Sequence, residues 1–169
     1  NPSRTALLDF LAAAGARVRV LDVHQPGGEL IGNLEVSSAS VKGGVIEGAL
    51  TAALIDEIPA LSVLGALSRD GLVVRDAGEL RVKETDRIAT ICENLRLMGV
   101  EVEEEAEGFK VSGGQKLRAA RVDSHGDHRI AMAFAVAALA ADAPCEISHA
   151  EAASVSYPEF YDTLRALSA

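Results

Sequence analysis

The 169-residue chain has no tryptophan, and aromatic residues make up only 4% of it. Aliphatic side chains must therefore build the core, and a hydrophobic fraction of 49% supplies them. Cysteine is equally sparse. Cys92 and Cys145 sit in apolar patterns and form neither a CxxC pair nor a Cys/His cluster. That excludes a disulfide framework and a zinc finger, and predicts buried free thiols in a cytoplasmic protein. The longest apolar run, Ile130 to Ala141, is too short and too rich in alanine to span a bilayer. No signal-peptide pattern opens the chain. No GxGxxG motif offers a dinucleotide loop, and nothing asks for a metal or another cofactor. Positive charge is short too: 16 Lys and Arg against 25 Asp and Glu leave a net charge of -9. Nucleic acid and anionic membranes are thereby excluded as general partners. The length suits one globular domain with a real core.

The cations that remain are unevenly spread. Lys83, Arg87 and Arg129 fall in the most patterned stretches, and a local positive site in an acidic protein suits a small anionic ligand. From Leu80 to Arg87 the sequence reads Leu-Arg-Val-Lys-Glu-Thr-Asp-Arg, with three cations and two carboxylates. Ile88, Ile91, Cys92, Leu95 and Met98 then recur at helical spacing, and Gly99 supplies the stop. Glu84 lies four residues before Ile88, which predicts that it extends the helix's inward stripe. Lys83 and Arg87 stand four apart and are expected to flank one anion near the positive end of the helix dipole. A carboxylate beside paired cations suits acid–base work on an anionic substrate. The same residues also fit a solvated first turn with ordinary ion pairs.

Asn1 or Ser3 is the expected cap of a first helix through Leu7, Leu8, Phe10 and Leu11 to Gly15. Strands follow at residues 17–23 and about 30–37, then a short extended piece at 41–45. Asp56 is read as the N-cap of a helix over 57–67, with Pro59 tolerated in its first turn. A strand at 72–74 leads into the helix that ends at Gly99. Residues 100–103 and 109–111 form a hairpin whose acidic run, Glu101 to Glu107, is a solvated face. A third helix over 127–141, apolar all round beyond its start, is expected in the middle of the protein. A strand at 145–147 and a last helix from Pro158 through Phe160, Leu164 and Leu167 complete the order.

A repeat underlies it. Asp56 and Asp127 each open a helix, Thr85 and Ser156 each stand at the start of the next, and the two intervals are equal. The unit is helix, strand, helix, strand pair. Residues 1–40 read as the end of a preceding unit, 41–115 as a second unit and 116–169 as the last. Together they make one partial α/β lobe of a larger protein. If the units share a core, the helix starts at Asp56, Glu84 and Asp127-His128-Arg129 converge into an anion site. Arg129 heads an apolar helix and needs a partner, for which Asp127 and Asp86 are the candidates, or a ligand. His128 reads as a hydrogen-bonded structural histidine rather than a general base.

The stretch Leu80 to Ile88 resembles the signature of the 5-enolpyruvylshikimate-3-phosphate synthase family. So do Ile55-Asp56-Glu57-Ile58-Pro59, Asp127-His128-Arg129-Ile130-Ala131-Met132 and Ser156-Tyr157-Pro158-Glu159-Phe160, in the family's order. The resemblance implies repeated βαβαββ units with inner helices and outer sheets, here an incomplete lobe of a two-lobe enzyme. It implies transfer of the enolpyruvyl group of phosphoenolpyruvate to the 5-hydroxyl of shikimate 3-phosphate, releasing phosphate, as a step of aromatic amino acid biosynthesis. Matched position by position, Asp56 resembles the carboxylate that takes the hydroxyl proton and touches the shikimate ring. Glu84 resembles the acid–base residue at C3 of phosphoenolpyruvate. Lys83 matches a shikimate-phosphate ligand, and Arg87 and Arg129 match phosphoenolpyruvate ligands. Val155 stands where many members carry Lys, which places the chain nearer the glyphosate-tolerant class, and Glu79 stands where others have Asn. The opposite lobe and its N-terminal ligands are absent, so the chain carries about half a site and is expected to be inactive alone. An enolpyruvyl transferase acting on a UDP-sugar and a non-catalytic anion-binding module of the same fold are the alternatives.

Overall fold

Ile58, Leu61 and Ala66, then Ile88, Ile91 and Leu95, then Ile130, Phe134 and Ala137 are all buried. They lie on three helices that pack on one another, and the strands are laid around that helical centre. The computed structural model describes residues 4–168. Asn1 and Ser3, the expected caps, lie outside that range.

The order begins with helix α1 (Ala6–Ala13) and an antiparallel ribbon of β1 (Arg17–His24) and β2 (Ile31–Ser37). Next come β3 (Gly44–Ile46), α2 (Ala49–Ala53), α3 (Ile58–Leu67), β4 (Leu72–Val74), α4 (Arg87–Leu97), β5 (Val102–Glu105) and β6 (Gly108–Val111). Their strands form one sheet in the order β3-β4-β6-β5, with β3 and β4 parallel and the other pairs antiparallel. The rest is β7 (Arg121–Asp123), α5 (His128–Ala138), β8 (Glu146–Ser148) and α6 (Phe160–Ser168), with β7 and β8 parallel on either side of α5. No helix among the described residues is long and apolar enough to cross a membrane.

Helix α4 obeys its sequence spacing: Ile88, Ile91, Cys92, Leu95 and Met98 are fully buried, and Gly99 at φ +77° turns the chain out of the helix. Burial pushes the Cys92 thiol up to about 12, so it is a packing group and not a nucleophile. Cys145 is free as well but only partly buried. Gly71, at φ +86°, lets β4 enter the sheet: a Cβ there would lie 2.2 Å from the Val111 carbonyl oxygen.

Several expectations need correction. Helix α4 starts at Arg87 on an Asp86 cap whose carboxylate accepts the Ala89 N–H at 3.0 Å. A 3-10 turn over Gly78–Val82 precedes it, so Glu84 stands outside the helix and its inward stripe. Helix α3 starts at Ile58, and Asp56 lies in the turn after the unforeseen α2 rather than capping anything. Helix α5 stops at Ala138 and exposes Val136 and Leu139. The β1–β2 ribbon pairs Val18 with Val36 and Val20 with Leu34 on one face. That face stands over α1 across open cavities of about 440 and about 330 Å³. No strand among the described residues pairs with the outer edge of β2.

Candidate active site

Arg87 is the hub. It opens α4, is 1% exposed, and meets three carboxylates. Its Nε donates to Asp127 Oδ2 at 2.7 Å, one terminal nitrogen donates to Glu84 Oε2 at 2.5 Å, and the other lies 3.7 Å from Asp56 Oδ1. A buried guanidinium needs this much compensation. Asp127 is 0% exposed and also caps α5, accepting the Arg129 N–H at 2.9 Å and the Ile130 N–H at 3.4 Å. Burial opposes the charge on Asp127. The Arg87 guanidinium and the two helix N–H groups outweigh it and hold the carboxyl below its usual range.

This overturns the expected partners of Arg129. Asp127 serves Arg87, and Asp86 serves Arg81 at 2.8 Å. Arg129 reaches instead to Asp56, with nitrogens 3.2 Å from Oδ2 and 3.2 Å from the backbone carbonyl oxygen. Arg4 approaches the same Asp56 oxygen at 3.5 Å and donates to Glu57 at 2.9 Å. Asp56 is thus tied to the segment before α1, to α4 and to α5 at once, which explains why its carboxylate does not cap its own helix.

Asp56 and Glu84 therefore sit on two sides of one guanidinium, each with an oxygen held and each reachable from solvent. Glu84 is 48% exposed, and its second oxygen lies 4.0 Å from Nδ1 of His128, whose ring is mostly covered. Lys83 does not flank an anion with Arg87. It pairs with Glu79, one turn earlier, while Arg87 is sealed beneath its carboxylates. Sequence reasoning passed over Arg4 and Thr85 as parts of the cluster, and read His128 as structural. Thr85 reaches Asp127 at 3.4 Å, and only its place in the Lys-Glu-Thr-Asp-Arg string hinted at it. Arg4 had no sequence signal, since it meets Asp56 across a distant loop. Val155 is exposed on a 3-10 turn and adds nothing to this cluster.

Among the described residues no group of His, Cys, Asp and Glu is arranged to hold a metal ion. Held carboxylates beside guanidiniums and helix starts can bind an anion and move protons next to it.

A family model described as EPSP synthase (3-phosphoshikimate 1-carboxyvinyltransferase) matches residues 1–164. A 3-phosphoshikimate 1-carboxyvinyltransferase of Solibacter usitatus is 60% identical over 164 residues, covering 97% of this chain and 38% of the relative. Its counterpart in Koribacter versatilis is 55% identical over the same shares. The chain thus spans well under half the length of the relatives it matches. A solved EPSP synthase of Acinetobacter baumannii superposes with a TM-score of 0.92 at 32% identity, over 98% of this chain and 39% of that one. An enolpyruvyl transferase of Streptomyces tendae, 18% identical with a TM-score of 0.73 over 97% of this chain and 35% of its own, shares the fold.

Proposed function

Because the chain belongs to the EPSP synthase family, we propose that it supplies part of a site that joins phosphoenolpyruvate to shikimate 3-phosphate. The 5-hydroxyl oxygen attacks C2 of phosphoenolpyruvate while C3 gains a proton. The tetrahedral intermediate then loses that proton from C3 and expels phosphate, leaving the enol ether. Two proton tasks call for two carboxylates, one ionised while the other is protonated. The observation that carries the reading is the placement of Asp56 and Glu84 at the two different terminal nitrogens of the Arg87 guanidinium. Asp56 takes the hydroxyl proton and contacts the shikimate ring, and Glu84 serves C3. Lys83 swings from Glu79 to the shikimate phosphate. Arg129, already reaching from the start of α5 to a carboxylate, exchanges it for that of phosphoenolpyruvate, with the Arg87 charge beneath. In this reading the reaction is cytoplasmic, in keeping with substrates that are soluble phosphates.

The remaining ligands come, in this proposal, from the rest of a two-lobe enzyme. Residues 1–40, 41–115 and 116–169 are then one end and two units of a repeated lobe. The uncovered face of the β1–β2 ribbon and the open edge of β2 receive the missing part of the first unit. Half a cleft cannot exclude water or orient both substrates. The isolated chain should therefore give no turnover with phosphoenolpyruvate and shikimate 3-phosphate. A colorimetric phosphate assay checks this, and release at a rate typical of whole enzymes would overturn the division of the site.

In the intact enzyme, Arg129→Ala should weaken phosphoenolpyruvate binding roughly 10- to 100-fold, since a charge-assisted hydrogen bond is worth about 1.5–3 kcal/mol. The kcat at saturation should fall less. Equilibrium binding and steady-state kinetics together read this split, and unchanged affinity would remove Arg129 from the ligand set.

A further inference from the structure

His149 and Asp123 take no part in the site, yet they stand at the root of the loop that builds it. Asp123 ends β7. Its backbone is clamped by the buried Asn94 of α4, whose amide nitrogen donates to the Asp123 carbonyl at 2.7 Å and whose oxygen accepts the Asp123 N–H at 3.0 Å. Its side chain faces the other way. Oδ1 accepts the backbone N–H of His125 at 2.7 Å and meets Nδ1 of His149 at 2.8 Å. Ser124 ties the same loop to the end of β8. Its N–H donates to the Ser148 carbonyl at 3.2 Å and its hydroxyl to the His149 carbonyl at 3.0 Å. Asp127 N–H then closes on the Ser124 carbonyl at 2.9 Å, and with Asp127 the site begins.

Two residues in this join hold left-handed backbone without being glycine: His125 at φ +51° and His149 at φ +56°. Such conformations persist only where surrounding bonds fix them. We propose that His149 is a positioning residue, a latch whose imidazole on Asp123 fixes the loop that delivers Asp127 and Arg129 to α5's start.

The charges facing His149 favour its protonation. Asp123 faces it from β7, and Glu151 from its own 3-10 turn. Beyond Asp123 stand His125, which shares that carboxylate, and Glu93 of α4, 3.7 Å from the His125 ring. The hydrogen bond and charge of Asp123 raise the His149 pKa, with Glu151 adding to them. Asp123, lowered by the His125 N–H and by His149, stays ionised through the neutral range. The sign follows: the charged latch is complete below the ordinary histidine value of about 6.5 and relaxes as pH rises through the raised folded value.

The proposal uses the functional reading only for what Arg129 does; the coupling itself belongs to this chain and is tested without turnover. In the ¹⁵N-labelled chain, the Arg129 and Ile130 amides, which donate to Asp127, should shift with pH. Their midpoint should equal that of the His149 ring, above about 6.5. His149→Gln should abolish that inflection. His149→Lys, which keeps a cation, should hold both amides near their low-pH positions. His125→Gln should leave the inflection in place. Amides in the wild-type chain that ignore the His149 midpoint, or an inflection that survives His149→Gln, would overturn the latch. Coupling without turnover in the intact enzyme would instead count against the functional reading alone.

Discussion

Glu84→Gln in the intact enzyme should lower kcat by about 10²–10⁴-fold, the usual contribution of a positioned acid–base group, with little change in substrate affinity. Glutamine preserves shape and keeps an oxygen to accept from Arg87, so the buried hub stays intact. On the proposed roles, what it removes is the ability to give and take a proton at C3. The position suits that task because Glu84 has one oxygen held by Arg87 while the side chain remains 48% exposed. Steady-state kinetics beside equilibrium binding separates this from a folding defect. A near-normal kcat would make Glu84 an ordinary partner of Arg87 and nothing more.

Asp127→Asn should have the largest effect on stability. Asparagine is as good an N-cap as aspartate, so the start of α5 is preserved and the loss is that of the charge. The variant leaves Arg87, 1% exposed, without its fully buried counter-ion. Breaking a buried pair on one side costs about 3–5 kcal/mol, a large share of the stability of a domain this size. Urea unfolding near neutral pH reads it as a lower midpoint. The pH dependence adds a check. A carboxyl held below its ordinary value contributes stability above about pH 4, and that contribution is lost as pH falls through the lowered folded value. The gap between wild type and variant should therefore narrow in acid. Equal midpoints for wild type and Asp127→Asn would show that Glu84 and Asp56 compensate Arg87 by themselves.

The parts of the fold legible in the sequence are those where packing follows local periodicity. Ile88, Ile91, Leu95 and Gly99 announced α4 and its end because one stripe meets the core. Its beginning was misplaced because Lys83 to Thr85 carry the charge pattern of a helix start, while Asp86 alone has the geometry of a cap. Strand β7 was missed because Val122 is its one apolar residue, between Arg121 and Asp123, whereas the equally short β4 is apolar throughout. The site residues Asp56, Glu84, Arg87 and Arg129 come together, yet their pairing was not legible. Arg129 takes Asp56, from the turn before another helix, rather than its neighbour Asp127. That choice depends on how α3, α4 and α5 pack, which no window of sequence contains. The roles assigned to these residues rest on motif resemblance, since spacing alone fits ordinary ion pairs better.

The most direct measurement is made on a chimera. This chain replaces the matching segment of the Solibacter usitatus relative, to which it is 60% identical, and the folded product is assayed with phosphoenolpyruvate and shikimate 3-phosphate. If the chain carries the Asp56, Glu84, Lys83, Arg87 and Arg129 half of the site, phosphate is released at a rate close to that of the unaltered relative, and Glu84→Gln in the chimera abolishes most of it. A folded chimera that releases no phosphate from this substrate pair would contradict the proposed function.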